Sequence, residues 1–416
     1  MKKCLIIFFF VPLFVFSQTV PKCWFSGSGV AWKGNLYLND SVKLKFWFSF
    51  DKTKTNKQLL YIYNGEERIT VNEVLEKNDS ILIKMPLYDS EFKCKWQNKQ
   101  EHRDSISGVW INNARKTKNI INFTANKIQY KTIAKCVDCK KFSGEWQTCF
   151  SPRTADSTKA IGIFTYTDCW DFLYGTFLTE TGDYRYLCGS TNDSTMELSC
   201  FDGTHAFYFS GKLTKDGSIA GKFYSGLHWY ETWEAKRNDT FELRNPDSLT
   251  FLKPGFEKIN FTFKNLDGKQ VSLSDEKYKN KVVIIQIMGT WCPNCMDETK
   301  YLSYFYEKHK LKGLEIIALA FEKDTSFAKG KSNCERLRKR FDVQYEILLT
   351  QKTGKDQARQ ALPMLNDIIS FPTTIYIDKK GKVRKIHTGF NGPGTGKYFD
   401  KWAENNKHFI DKLLSE

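Results

Sequence analysis

The feature that most constrains the fold is a strand-to-helix junction carrying two cysteines. A nearly unbroken apolar run, Val282-Val283-Ile284-Ile285-Gln286-Ile287-Met288, is bounded by Gly289-Thr290 and followed by Trp291-Cys292-Pro293-Asn294-Cys295. Such a run is the pattern of a strand in a sheet covered on both faces. Met296 to Lys308 reads as a helix, with Leu302, Phe305 and Tyr306 on one side. Asp297 and Glu298 stand early in it, and Lys308 and Lys310 late, as the helix dipole favours. Lys312-Gly313 is a stop signal.

Two cysteines at such a junction have a clear chemical use. Cys292 falls at the helix N-terminus, where unpaired N–H groups stabilise a thiolate. Thiols in that setting have pKa values of roughly 3.5 to 7.5 instead of about 8.5. The thiolate attacks a disulfide, and Cys295, one turn on, resolves the mixed disulfide. Pro293 holds the turn and needs no N–H there. A structural disulfide is the bland alternative. Half of a metal site is another, but this part of the chain offers only Cys334 and scattered histidines as further ligands.

Three further features favour redox chemistry. Ser370-Phe371-Pro372-Thr373-Thr374 opens an apolar strand, Ile375-Tyr376-Ile377, with a proline at its entrance and room for a cis Phe371–Pro372 bond. Asp378-Lys379-Lys380-Gly381-Lys382 is a hairpin turn into Val383–His387. Gly389-Phe390-Asn391-Gly392-Pro393-Gly394 leads into a C-terminal helix.

With these motifs, residues 255–416 resemble the thioredoxin superfamily, and most of all its exported TlpA/ResA-type disulfide reductases. The resemblance covers well under half of the chain. It implies an α/β thioredoxin-like domain in which Cys292 attacks, Cys295 resolves, and Pro372 is the cis-proline facing the pair. Trp291, Pro293, Phe371 and Pro372 then form the substrate-docking surface, with Phe371 offering backbone to the substrate. Glu298, three residues after Cys295, matches a carboxylate of this subfamily and is the candidate for proton transfer; its plain alternative is a first-turn helix acid. Gln286 stands where cytosolic thioredoxins carry a buried Asp. The resemblance also implies a membrane thiol-disulfide electron donor, with cytochrome c maturation as one role. No metal or organic cofactor is needed.

The chain has 416 residues, enough for two or three domains. Aromatic residues make up 15 %, which favours β structure over disorder. The net charge of +16 is spread along the chain, with no long basic run and no nucleic-acid motif. It reads as a solvated lysine-rich surface, with attraction to acidic partners or a membrane surface as the other reading.

Lys2-Lys3, the apolar run Leu5–Phe16 and Ser17 read as a signal peptide over residues 1–17. The expected address is the periplasm, with an uncleaved anchor as the alternative. Of the twelve cysteines, Cys4 leaves with the leader. Setting aside Cys292 and Cys295 leaves an odd number, so at least one stays unpaired; Cys334 is the choice. Cys23, Cys94, Cys136, Cys139, Cys149, Cys169, Cys188 and Cys200 remain as candidates for structural disulfides, with their pairing open. Cys136-Val137-Asp138-Cys139 lacks the Trp and the following helix of the first pair; a structural disulfide, an auxiliary redox pair and a metal half-site are its readings. His102, His205 and His228 show no ligand spacing.

Residues 18–240 read as a β-rich region, an antiparallel barrel or sandwich. Val42–Phe50 has an apolar residue at every even position, the mark of a half-buried strand. Leu59–Tyr63, Ile81–Ile83, Ile120–Phe123, Ile161–Tyr166, Tyr184–Leu187, Ala206–Phe209 and Gly221–Tyr224 are further strand candidates, with Asp202-Gly203 and Asp216-Gly217 as turns. Ser107-Gly108-Val109-Trp110 and Ser143-Gly144-Glu145-Trp146 suggest two modules with a seam near 130–142. Residues 241–254 read as the linker to the domain at 255–416.

The reading is thus a multidomain thiol-disulfide oxidoreductase that reduces disulfides of exported proteins. A disulfide oxidase or isomerase with the same residues is the near rival. A thiol peroxidase fits less well, because that class centres on Thr-x-x-Cys. A binding protein, whose β region captures a ligand or partner, is the rival of another class.

Overall fold

The computed structural model of the chain describes residues 31–97, 103–128, 139–167 and 172–416. The expected leader at 1–17, Cys23, His102, Cys136 and Cys169 lie outside the described residues. Nine antiparallel strands form a first sheet: β1 (Ala31–Tyr37), β2 (Lys43–Lys52), β3 (Gln58–Asn64), β4 (Glu67–Val71), β5 (Glu73–Lys77), β6 (Ser80–Lys84), β7 (Ser90–Trp96), β8 (Ser105–Asn112) and β9 (Ile120–Ile128). Their order is β4-β3-β2-β1-β9-β8-β7-β6-β5. The edge strands β4 and β5 are joined through Asn72 alone and β3 touches β5, so the sheet curls round its own core. Phe46, Phe48, Phe92, Trp110 and Phe123 fill that core.

A second sheet follows: β10 (Gly144–Phe150), β11 (Thr158–Thr167), β12 (Phe172–Thr179), β13 (Gly182–Asp183), β14 (Leu187–Thr191), β15 (Thr195–Phe201), β16 (Ala206–Leu213), β17 (Ile219–Ser225) and β18 (Trp229–Arg237). Its order is β11-β10-β18-β17-β16-β15-β14-β12-β13, and β11 also pairs with β12. That extra ladder closes the sheet into a barrel, which removes its open edges. Trp146, Phe177, Phe209 and Trp233 pack inside. The β-rich region is therefore built from barrel-like sheets, not a sandwich.

The alternation in β2 holds for Leu44, Phe46 and Phe48, which point into the first core. Trp47 and Ser49 on the opposite face are buried too, because the second barrel covers them. The Trp47 ring meets Phe172 edge-on at 4.9 Å between centroids. The expected strand at Tyr184–Leu187 is only partly present. Tyr184, Arg185 and Tyr186 bridge β13 and β14, and Arg185 has φ +60°, which no strand tolerates.

The cysteines of the β region depart from a disulfide framework. Among the described residues Cys94, Cys149, Cys188, Cys200 and Cys334 are free thiols. Cys188 and Cys200 lie on neighbouring strands, but Cys188 stands opposite Ser199. A one-residue offset sends the two side chains to opposite faces of the sheet, so they cannot join.

The C-terminal part is a seven-stranded sheet with helices. Its strands are β19 (Thr262–Asn265), β20 (Gln270–Ser272), β21 (Val282–Met288), β22 (Leu314–Ala320), β23 (Glu346–Leu349), β24 (Thr373–Ile377) and β25 (Val383–Thr388). Its helices are α1 (Pro293–His309), α2 (Phe327–Phe341), α3 (Gly354–Ala361) and α4 (Lys397–Ser415). The order is β20-β19-β23-β22-β21-β24-β25, with β21 parallel to β22 and antiparallel to β24. All seven residues of β21 are buried, as a central strand covered on both faces requires. This is the thioredoxin-like α/β domain expected from the sequence.

The stretch between barrel and redox domain is fastened to the latter. Leu252 bridges to Leu365, Thr388 Oγ1 donates to Thr250 Oγ1 at 2.9 Å, and His387 Nδ1 lies 2.6 Å from Asp247 Oδ1. Among the described residues no helix is long and apolar enough to cross a membrane.

Candidate active site

β21 ends at Met288, and the chain turns through Gly289–Trp291 into α1. Cys292 is the N-cap of that helix and Pro293 its first residue, where a missing N–H costs nothing. Cys292 and Cys295 form a disulfide, with Cα atoms 5.2 Å apart. The Cys295 N–H donates to Cys292 Sγ at 3.2 Å. Cys295 is fully buried, whereas Cys292 keeps 6 % of its surface, so Cys292 is the sulfur a substrate can reach.

The Phe371–Pro372 bond is cis and faces the pair. Cys292 Sγ lies 3.4 Å from the Phe371 carbonyl oxygen. The Trp291 ring packs edge-on against Phe371 at 5.5 Å between centroids, and its Nε1–H donates to Phe321 O at 2.9 Å. Trp291, Pro293, Phe371 and Pro372 are thus gathered around Cys292, although 80 residues of sequence separate the two segments.

Glu298 sits in the next turn of α1, fully buried. Thr374 Oγ1 donates to one of its oxygens at 2.6 Å and Gln286 Nε2 to the other at 2.8 Å. Burial pushes its pKa up to about 7, against which these two hydrogen bonds act. Its hydrogen bonds reach neither sulfur; Gln286, which also lies 3.4 Å from Cys295 O, connects it to the pair. Four other thiols among the described residues, Cys94, Cys188, Cys200 and Cys334, are buried and unsuited to attack. Burial raises Cys94 and Cys188 to about 12, and Cys200 and Cys334 well above the usual thiol range.

A redoxin family model matches residues 254–400. The thiol-disulfide oxidoreductase ResA of Geobacillus thermodenitrificans is 32 % identical over 140 residues, which is 34 % of this chain and 72 % of that protein. The chain belongs to the ResA-type thiol-disulfide oxidoreductases. ResA of Bacillus subtilis is 31 % identical over 138 residues, 33 % of this chain and 69 % of that protein. Among solved structures, a thiol:disulfide interchange protein of the thioredoxin family from Chlorobium tepidum is 20 % identical, with 35 % of this chain and 94 % of that one covered and a TM-score of 0.27. The redoxin match begins at residue 254, after the last barrel strand ends at Arg237.

What the sequence did not signal in this ResA-type chain is how the barrels meet its redox site. The turn between β12 and β13 reaches the cysteine turn itself. Asn294 Nδ2 donates to Asp183 O at 3.2 Å, and Ser370 Oγ to Thr181 O at 2.7 Å. Asp183 Oδ2 accepts from Gly392 N at 2.6 Å. Arg185, 5 % exposed, pairs with Asp297 of α1, with Glu67 of β4, and with Asp202 at 3.4 Å. One guanidinium thus ties both barrels to the redox helix. Asp297 and Asp183, buried among these acids, are shifted upward, Asp297 to about 7, chiefly by burial and against the pull of Arg185. Arg185 adopts a left-handed φ of +60° that a non-glycine residue seldom takes, and no sequence pattern encodes it.

Proposed function

We propose that the chain is an exported disulfide reductase working through Cys292 and Cys295. The observation that carries this reading is the disulfide at the N-terminus of α1 opposite the cis Phe371–Pro372 bond. In the reduced protein, the Cys292 thiolate is held by the helix N-terminus and the Cys295 N–H. It attacks one substrate sulfur, forms a mixed disulfide and releases the other sulfur as a thiol. The Cys295 thiolate then attacks Cys292 Sγ, releases the second thiol and leaves the protein disulfide. Two electrons and two protons pass to the substrate. Glu298, near neutrality in its protonation, supplies a proton-exchanging group beside the pair. Phe371 offers backbone to the substrate and Trp291, Pro293 and Pro372 shape the groove.

An outside dithiol restores the pair, and a membrane thiol-disulfide donor fits an exported location. The leader at 1–17 supports the periplasm as that location. Disulfides of exported proteins are the substrate class, and cytochrome c maturation is one setting for them. The proposed organisation is a β region over 18–240, a connection at 241–254 and the redox domain at 255–416.

The test is a redox titration of the chain with Cys292→Ser as control. A potential near that of thioredoxin, about −270 mV, supports a reductase, whereas one near about −120 mV makes the chain a disulfide donor. With Cys295→Ser, a disulfide substrate should stay attached to Cys292 as a mixed disulfide that dithiothreitol releases. Failure to trap any substrate would remove Cys292 from the attacking role.

A further inference from the structure

The groove beside Cys292 is covered. Of the four residues gathered around that sulfur, only Trp291 is partly exposed; Pro293, Phe371 and Pro372 are buried, and Cys292 itself is 6 % exposed. A thiolate that exchanges with outside disulfides has to be met by another sulfur arriving from solvent. The cover over Cys292 therefore bears on which disulfides it can meet.

That cover comes from the second barrel. Residues 180–183, the turn from β12 into β13, lie across three segments that converge at Cys292. At the cis-proline turn, Ser370 Oγ donates to Thr181 O at 2.7 Å. At the cysteine turn, Asn294 Nδ2 donates to Asp183 O at 3.2 Å. At the bend after β25, Gly392 N donates to Asp183 Oδ2 at 2.6 Å, and Gly389 N donates to Pro372 O at 2.9 Å, which joins the bend to the cis-proline turn. The contact is close. A Cβ on Gly389 would stand 2.8 Å from the Thr181 carbonyl carbon, and one on Gly182 would stand 2.3 Å from Asn294 Nδ2 and 3.3 Å from Phe390 O. A peptide strand needs about 4.8 Å to lie beside another, so none can pass between Thr181 and Gly389.

The hairpin is braced from behind as well. Arg244 Nε donates to Glu180 Oε1 at 2.7 Å, Thr179 Oγ1 donates to Gly182 O at 2.8 Å, and Arg185 N donates to Asp183 Oδ1 at 2.5 Å. Arg185 in turn pairs with Asp297 and Glu67. Lifting the hairpin would break polar contacts on both of its faces, so it stands as a wall and not as a loose loop.

We propose that this hairpin sets the substrate specificity of the site: Thr181, Gly182 and Asp183 fill the groove on the side of Gly389, and only a disulfide carried on a short or unfolded segment brings its sulfur past Trp291 to Cys292. This narrows the disulfides of exported proteins to one class and rests on Cys292 being the attacking thiolate. A disulfide on a folded domain is turned away, because the surface around it meets the barrel before the two sulfurs come into line.

Two measurements on the full, pre-reduced chain test this. In the first, one cysteine-bearing segment is offered as its mixed disulfide with glutathione in two settings, as a short linear peptide and on the surface of a folded carrier protein. Each exchange rate is divided by the rate of the same disulfide with dithiothreitol, which has no groove. Wild type should favour the peptide by about ten-fold or more, the order of discrimination a steric clash provides. Gly182→Ala, which wedges the hairpin against Asn294, and Asp183→Ala, which frees it from Gly392, should each raise the carrier rate and bring the two rates together. Equal normalised rates in wild type, or a preference that neither variant reduces, overturn the proposal. In the second, Cys292 is labelled with N-ethylmaleimide or with a maleimide fixed to the same carrier, and its modification is followed by mass spectrometry. Wild type should take the small reagent much faster and the variants should narrow the gap; equal labelling of wild type by both reagents overturns the wall. Labelling needs no disulfide exchange, so if it discriminates by size while neither disulfide is reduced, it is the role of Cys292 that fails and not the wall.

Discussion

At the scale of single residues, Glu298 shows how burial sets behaviour. Its carboxyl is fully buried with two neutral donors and no cation, so it holds its proton up to about pH 7 instead of the ordinary 4.5. The folded chain therefore binds the extra proton between these values, and stability falls as pH rises through that window. A shift of this size corresponds to about 3 kcal/mol by linkage. Glu298→Gln should flatten the pH dependence of chemical unfolding between about pH 4.5 and 7 by most of that amount and make the protein more stable than wild type at pH 8. If Glu298 also exchanges protons with the pair, the same variant should lose the rise of disulfide-exchange rate that wild type shows near pH 7, at unchanged substrate KM. A variant with the wild-type stability profile would show that the carboxyl is ionised in the folded state. The residue was visible in the sequence as an early helix acid three positions after Cys295. Its depth was not, because the atoms that enclose it come from β21 and β24.

At the scale of elements, the strands and helices of the redox domain were largely legible. The apolar run at Val282–Met288, the cysteine turn and the proline-led strand each carry their own local signal, and the structure places all three together. Local periodicity served less well where two elements share a face. In β2, Trp47 occupies the face that alternation assigns to solvent, and only the arrival of Phe172 from the second barrel buries it. Tyr184–Leu187 has the composition of a strand, yet Arg185 turns left-handed so that its guanidinium can meet Glu67, Asp202 and Asp297. That meeting is the joint of three elements, and removal of the single cation leaves one buried and two part-buried carboxylates facing one another. Arg185→Ala should lower the unfolding free energy by about 3–5 kcal/mol in a denaturant titration, more at pH 8 than at pH 5, because the freed acids take up protons at the lower pH. A loss below about 1 kcal/mol would mean that the joint is solvated in solution and behaves like a surface pair.

At the scale of the whole molecule, the barrels and the redox domain share more than a connection. Tyr88, from the loop after β6, belongs to the hydrophobic core of the redox domain. Lys329 pairs with Asp89, Tyr398 OH donates to Glu145 at 2.8 Å, and Asn294 is bound by Asp183. Contacts of this number and burial couple the units in unfolding. Far-ultraviolet circular dichroism, which follows the strands, and tryptophan fluorescence should therefore report one coincident thermal transition. Two separated transitions would show that the redox domain melts independently of the barrels. None of this coupling could be read from the chain: the partners stand more than a hundred residues apart in most of these pairs, and each is an ordinary polar residue in its own segment. The family resemblance likewise stopped at about residue 255, so it carried no information on what lies against the cysteine turn.

The fit at Thr181-Gly182 and Gly389 depends on shape as well as on its hydrogen bonds. Gly389 has φ +80°, and a side chain there would collide with the Thr181 main chain; one on Gly182, at φ +140°, would collide with Asn294. A smaller side chain at 294 could relieve the second collision, but no change of neighbouring side chains relieves the first, which is with main chain. The two halves are consequently not interchangeable parts. A redox domain transplanted from another ResA-type protein would seat on these barrels only if it brought a bare Cα at that bend and a short polar residue between its cysteines. Lineages that shuffle domains would have to pass this pair on together, and anyone building a chimera should cut elsewhere.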